Sequence, residues 1–255
     1  MRDLLQGIMF FRLWTYQAWH DTRQRYRRTL LGPLWHSLVT AAMVAMVGLV
    51  FHQVFNRPAP EFLLYVAPGI VMWNAIAATL GRGANALIEH AYAIKNLPLP
   101  LSVYILKGLT YEIITFLHNV VVVLVVYLLF SHGISASILL VIPALLLVWL
   151  NLAWMAFLLA VVSIRFRDVP MIVTASLSAL FIVTPVFWST DLLPTRPVFV
   201  SYNPFYHFLE LVRVPLMGGV PSAEHWLATL LSVVVGWSVT LMVFSKCRPK
   251  IVFWT

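Results

Sequence analysis

Residues 23–35 read Arg23-Gln24-Arg25-Tyr26-Arg27-Arg28-Thr29-Leu30-Leu31-Gly32-Pro33-Leu34-Trp35, a cluster of cations running straight into an apolar segment without Asp, Glu, Lys or Arg that reaches Phe55. Arg and Lys beside a spanning helix stay on the cytoplasmic face and meet anionic headgroups there, so this cluster orients everything downstream. The pattern predicts a polytopic, all-α membrane protein with its N-terminus inside.

Working outward, 61% of the 255 residues belong to the hydrophobic set and only 10% are charged. A water-facing domain of this size could not sustain that balance, so a soluble fold is excluded. A span needs roughly 20 apolar residues to cross about 30 Å of hydrocarbon. Six candidates lie near 34–55, 62–80, 104–130, 138–163, 170–188 and 226–245. The first has too long and polar a lead-in, and no small-residue cleavage pattern, to be a removable signal peptide.

Six spans place both termini on the cytoplasmic side. On that assignment 14 of the 17 Lys and Arg residues fall inside, and only Arg57, Arg196 and Arg213 fall outside. The formal charge of +8 therefore reflects topology, not a nucleic-acid partner. Cys247 is the single cysteine, so no intrachain disulfide or cysteine-based metal site can form.

Three divisions follow: residues 1–33 as an interfacial helix and basic segment, 34–245 as a six-helix membrane domain, and 246–255 as a cytoplasmic tail. Within 1–22, Leu4, Ile8, Phe11, Trp14 and Ala18 recur at helical spacing opposite Asp3, Gln6, Gln17 and Asp21. Ala41, Ala45 and Gly48 put small residues on one face of the first span, where a second helix can approach. Pro68-Gly69 predicts a kink or break in the second.

Residues 81–103 form the longest cytoplasmic loop, with a short helix before the turn Leu97-Pro98-Leu99-Pro100. Pushed out between two spans, such a helix is a contact element for a partner. Arg165-Phe166-Arg167-Asp168-Val169-Pro170 is a tight cytoplasmic turn. In the third span, Glu112 and His118-Asn119 are polar groups at depths where such groups face a bundle interior or a cavity. The external segment 189–225 contains a run from Asn203 to Arg213 with Asn as N-cap and Pro204 at the first helical position. It is too short to span and is expected to be re-entrant.

No Gly-rich phosphate loop, nucleophile elbow, zinc-protease pair or carboxylate relay occurs. An enzyme is not indicated. Aromatics are abundant, at 35 residues. Tyr65, Trp73, Trp149, Trp154, Phe187 and Trp188 lie in or beside spans, suited to interfacial belts or to stacking on sugar rings along a conduit.

Taken in order, the segments Arg25–Trp35, Ile94–Leu101, Arg165–Pro170 and Tyr202–Arg213 resemble the membrane subunits of type-2 ABC exporters of lipid-linked polysaccharide, the O-antigen and capsule permeases. His118-Asn119 and Gly32-Pro33-Leu34-Trp35 lean toward the O-antigen branch. The resemblance implies six helices per subunit and a homodimer forming one channel in the bacterial inner membrane. It also implies two copies of a separate ATPase that hold the ATP and Mg, with no cofactor on this chain. Residues 84–97 would be a coupling helix, with Asn85, Glu89, His90 and Lys95 facing the ATPase, and Arg165, Arg167 and Asp168 a second contact. Asn203, Pro204, Phe205, Glu210 and Arg213 would belong to an external gate. Arg23, Arg25, Arg27 and Arg28 would meet the pyrophosphate of an undecaprenyl-linked glycan. Rival readings are export of a capsular or teichoic-acid-like polymer, an ion-coupled transporter using Glu112, and a glycan-modifying membrane enzyme, for which no catalytic constellation is found.

Overall fold

The structure, a computed structural model, describes residues 2–254 apart from 28, 33, 132, 134, 193, 194 and 196. Among the described residues there are eleven α-helices and no strand: α1 (Arg2–Met9), α2 (Phe11–Arg25), α3 (Leu34–Val54), α4 (Ala59–Glu89), α5 (Ala91–Asn96), α6 (Leu101–Phe130), α7 (Val141–Arg165), α8 (Val169–Val183), α9 (Val198–Ser201), α10 (Pro204–Leu216) and α11 (Ala223–Trp254). A short 3-10 turn, Ala136–Leu140, leads into α7. Helix is the physical answer to this composition, because each backbone donor in hydrocarbon must be satisfied within its own segment.

Five helices are long and apolar enough to cross a membrane: α3, α4, α6, α7 with its leading turn, and α11. The sixth expected span, 170–188, is shorter than the sequence suggested. Its helix α8 has 15 residues and so extends only about 22 Å. Pro185 lacks an amide donor and disfavours helix in the residue before it, so the chain leaves the helix at Thr184, which is extended. The apolar residues Val186 to Trp188 are spent on a turn.

Helix α4 is the centre of the bundle. Two-thirds of its apolar window (67%) is buried, against 22% in each of α3, α6 and α11, which leaves those helices with broad apolar surface for lipid or a partner chain. The helix runs unbroken through Pro68, so the expected break is absent. It also continues to Glu89. The short helix expected within the 81–103 loop is helical but not separate: residues 81–89 are the last turns of α4, and α5 follows after an irregular backbone at His90. In α3, Gly48 takes the close contact expected of the small-residue face, since a Cβ there would strike the Leu63 side chain. Ala45 instead faces outward.

The core has two parts. One packs α4 against α7, α8 and α10, with Trp73, Leu152, Phe208 and Leu209 within it. The other gathers α5, the start of α6 and the far ends of α7 and α11 around Ile94, Tyr104, Ile164 and Ile251. Each part supports one end of the molecule, called here the α10 end and the α5 end.

The expected N-terminal helix extends to Arg25 but is broken at Phe10. Far from floating, α1 is fastened to the bundle. Helix α6 begins after Pro100, whose side chain offers no acceptor for the first amides. The carboxylate of Asp3 supplies it, accepting from the Leu101 amide at 3.2 Å and the Ser102 amide at 3.1 Å. The Ser102 hydroxyl lies 2.9 Å from the same carboxylate, and Arg248 of α11 closes the ion pair at 2.7 Å. Negative charge at a helix N-terminus is favoured by the macrodipole, which explains why an aspartate can be buried here.

Candidate functional site

The α5 end presents a compact exposed surface. Glu89, Lys95, Asn96 and Leu97 are exposed and Tyr92 is 83% exposed, so charges and apolar groups alternate across it. Behind them Ile94 is buried, which holds the short helix in place. Asn85 is half-buried and donates to the Gly81 carbonyl at 2.9 Å, turned back along its own helix. His90 also faces inward: its Nδ1 lies 2.8 Å from the Ala86 carbonyl and its ring packs on Tyr104. On its other side, His90 Nε2 is 3.5 Å from Lys107, which pairs with Asp21 of α2 at 2.7 Å. A polar chain thus runs from the α4–α5 junction to α2. That link was not legible in the sequence, because its members lie far apart along the chain.

Arg165, Arg167 and Asp168 are exposed in the turn between α7 and α8. The Arg165 guanidinium lies 5.5 Å from the Trp254 ring and Arg167 donates to the Trp254 carbonyl at 3.2 Å, so the turn leans on the end of α11. It shares the α5-end core with α5 through Ile164, Ile94 and Ile251.

Near this end sits the cationic segment. Arg25 donates to the Tyr111 hydroxyl at 2.7 Å, and that bond is the main influence raising its pKa above the ordinary arginine value. Burial pushes the Tyr26 phenol up. Arg82 lies over the Tyr111 ring at 4.0 Å and forms a 2.5 Å ion pair with Glu112, whose residue is 4% exposed. Glu112 is thereby committed to one permanent cation. Arg23 and Arg27 lie exposed on α2 and just past it, while Arg28 falls outside the described residues.

At the α10 end, Asn203 caps α10 by accepting from the Phe205 amide at 3.0 Å while its Nδ2 donates to Thr184 at 2.8 Å. Pro204 takes the first helical position, as the sequence indicated, and the helix continues to Leu216. Phe205 meets Trp73 edge-on at 5.8 Å. Arg213 is 1% exposed. It donates to the Tyr65 hydroxyl at 2.7 Å, to Glu210 at 2.8 Å and to the Val186 carbonyl at 2.9 Å, and it stacks on the Tyr65 ring at 3.9 Å. Tyr65 in turn donates to the Trp188 carbonyl at 2.9 Å. Gly69 makes room for this knot, since a Cβ there would strike both Arg213 and the Val186 carbonyl. The turn after α8 is thus clamped to α4 and α10 by one guanidinium. Beside it, His207 and His225 bring their Nδ1 atoms within 2.9 Å and join α10 to α11.

Four of the six aromatics, Tyr65, Trp73, Phe187 and Trp188, gather around α8 and the turn after it, while Trp149 and Trp154 lie on α7. Trp73 is 5% exposed between Phe181 and Phe205, and Tyr65 belongs to the Arg213 knot. Phe187 packs on Phe51 and Phe181, Trp188 donates to the Ile182 carbonyl, Trp149 meets Phe116 edge-on, and Trp154 donates to Asn151. Among the described residues no group of three His, Cys, Asp or Glu side chains could hold a metal ion.

The chain is similar to the O-antigen export system permease protein RfbA of Klebsiella pneumoniae, with 24% identity across 90% of each chain, and to a second protein of that name and organism at 23% across 90% of each. It is also similar to the O-antigen export system permease protein RfbA of Myxococcus xanthus, at 22% across 89% of each chain. Residues 12–217 match the family described as ABC-2 type transporter, a stretch that runs from α2 through the Arg213 knot to the end of α10. With five helices able to cross a bilayer and that match over most of its length, the chain is a multi-pass membrane protein and belongs to the ABC-2 type transporter family.

Proposed function

We infer that this chain is the permease subunit of an ATP-driven exporter moving lipid-linked polysaccharide, O-antigen on undecaprenyl pyrophosphate, across the bacterial inner membrane. The observation that carries this reading is end-to-end similarity to three O-antigen export permeases, each covered over about nine-tenths of its length. Two copies form the channel, α8 is the sixth span, both termini are cytoplasmic, and two ATPase subunits dock at the α5 end. The exposed set Glu89, Tyr92, Lys95 and Leu97 suits that docking, because apolar anchors ringed by charge are what protein interfaces use.

Mechanically, ATP-driven movement of the partner pushes on α5 and on the Arg165–Asp168 turn. The Lys107 link passes the push to α2, and the continuous helix α4 carries it to the Tyr65–Arg213 knot at the gate. Chemistry stays on the partner; this chain transmits force and lines the path. The ion-coupled reading loses support from the Arg82–Glu112 pair, since the one carboxylate it relies on is already engaged by an arginine within the bundle. Export of a capsular or teichoic-acid-like polymer differs only in cargo.

The test is to purify the protein from its native membrane and ask whether a nucleotide-binding subunit accompanies it in equal amount with ATPase activity. A pure, ATP-inert preparation sinks the reading. Glu89→Arg sharpens it: the variant should assemble but lose transport-coupled hydrolysis, and unimpaired export would move the docking surface elsewhere.

A further inference from the structure

Two buried histidines meet at the α10 end. His207 of α10 is 4% exposed, His225 of α11 is 7% exposed, and their Nδ1 atoms lie 2.9 Å apart. Two ring nitrogens that close make a hydrogen bond only if one carries a proton and the other does not. The Ser201 carbonyl decides which. It lies 2.9 Å from His207 Nε2 and can only accept, so Nε2 holds the proton of that ring. In the neutral pair His207 Nδ1 is therefore the acceptor and His225 Nδ1–H the donor. One backbone oxygen sets the tautomers of both rings, and His207 ties the end of α9 to the start of α11.

This arrangement can take up one proton but not two. The first goes to His225 Nε2, and the resulting imidazolium still donates from Nδ1. The second has only His207 Nδ1 left, the atom on which the bond rests. With both rings charged, two N–H groups would point at each other and two like charges would face each other in a buried site. Rings that have parted take two protons, and rings in contact take one. Falling pH therefore favours the parted state, by up to about tenfold per pH unit once both parted rings titrate.

The surroundings supply no buried carboxylate to balance a second charge. On α10, Tyr206 packs its ring against both imidazoles at 5.5 and 5.4 Å, and the next charges, Glu210 and Arg213, are paired with each other. On α11, Glu224 precedes His225 and is exposed. Helix α4 brings Tyr65, held in the Arg213 knot, and Glu61, which is exposed. Helix α7 carries its one charge, Arg165, at the far end, and the 3-10 turn before it carries none. A hollow of about 340 Å³ between α10 and α11, lined by Ser201, Tyr202, His207 and Ser232, gives protons a way in and the His207 ring room to turn.

From this geometry we propose that His207 and His225 form an acid-opened latch between α10 and α11, closed with no proton or one added and parted with two. Its meaning for transport rests on the export reading: α10 then belongs to the external gate, and acid outside the cell loosens that gate while neutral and alkaline conditions hold it.

The experiment is hydrogen exchange on the purified full-length protein in detergent with EDTA, at about pH 8 and about pH 5, the range over which histidine changes charge. Rates are corrected for the intrinsic pH dependence of amide exchange. The wild type should lose at least tenfold protection at the amides of Phe208 to Leu211 on going to the lower pH. His207→Gln with His225→Gln, whose amides can pair without titrating, should keep its protection within twofold. If that variant does not fold, His225→Gln alone serves, because a single ring faces no like charge. Nitrogen NMR of labelled histidine at the higher pH should find the His207 proton on Nε2 and the His225 proton on Nδ1. A wild type unchanged between the two pH values, an equal loss in the glutamine variants, or a His207 ring protonated on Nδ1 would each overturn the proposal. A protein that brings an ATPase with it yet shows no acid release fails this proposal alone. Acid release in a protein without an ATPase fails the export reading alone.

Discussion

Each end of the molecule is held by one buried ionisable residue, Asp3 at the α5 end and Arg213 at the α10 end, and the two are satisfied differently. Asp3 sits where a helix N-terminus, a hydroxyl and an arginine converge, so its acceptors find donors on every side. Arg213 donates to three oxygens, but its Nε has no hydrogen-bond partner and the Tyr65 face stands in for one. A saturated charge holds one geometry. An unsaturated one keeps a donor in reserve and can exchange partners at modest cost, which suits the end assigned to gating.

Arg213→Leu should have the largest effect. It leaves Glu210 and the Val186 carbonyl without their buried donor, and breaking one side of a buried pair costs about 3–5 kcal/mol. The check is thermal unfolding in detergent, with a fall in transition temperature expected; an unchanged transition would mean that the knot is idle. Gly69→Ala probes the same knot from α4. Its methyl must displace Arg213 or the Val186 carbonyl, at about 1–3 kcal/mol, and double-mutant analysis with Arg213→Leu should show strong non-additivity.

Asp3→Ala should act at the other end and locally. Losing the acceptor for the first α6 amides costs about 1–2 kcal/mol, read as faster hydrogen exchange at Leu101 and Ser102 with the α10 end unchanged. If both ends loosen together, the division into two cores is wrong. The smallest change is expected from Lys107→Met. An exposed-side ion pair contributes about 0–1 kcal/mol, so stability should barely move while transport-coupled ATP hydrolysis falls. A variant with full coupling would remove α2 from the transmission path.

Much of this architecture was legible in the chain. The apolar runs located five crossing helices, and Asn203-Pro204 placed the start of α10, because capping is a local property. Other features were hidden for physical reasons. Helix was legible in residues 85–90, but its continuity with the second span was not; packing of Gly83 against Ala156 and of Leu87 into the α5-end core joins the two into one helix. The run 170–188 was read by its apolar content alone, and Pro185 within it ends the helix early. Asp3 read as one polar residue on an interfacial helix, since its partners lie 98 and 245 positions away. Arg213 likewise looked like one gate residue among several, not the centre of a junction between α4, α10 and the turn after α8.

The Asp3 contact also sets a schedule for making the protein. The amides of Leu101 and Ser102 reach Asp3 early, but Arg248 emerges about 146 residues after Ser102. At synthesis rates of about 5–20 residues per second, that is a wait of about 7–30 s. Through that interval a negatively charged aspartate has helix amides but no cation, and the first helix stays only partly latched until the last one is in place. The ion pair therefore forms only after α11 has been made. A product cut short before Arg248 would leave its own N-terminus loose, where a protease could grip it.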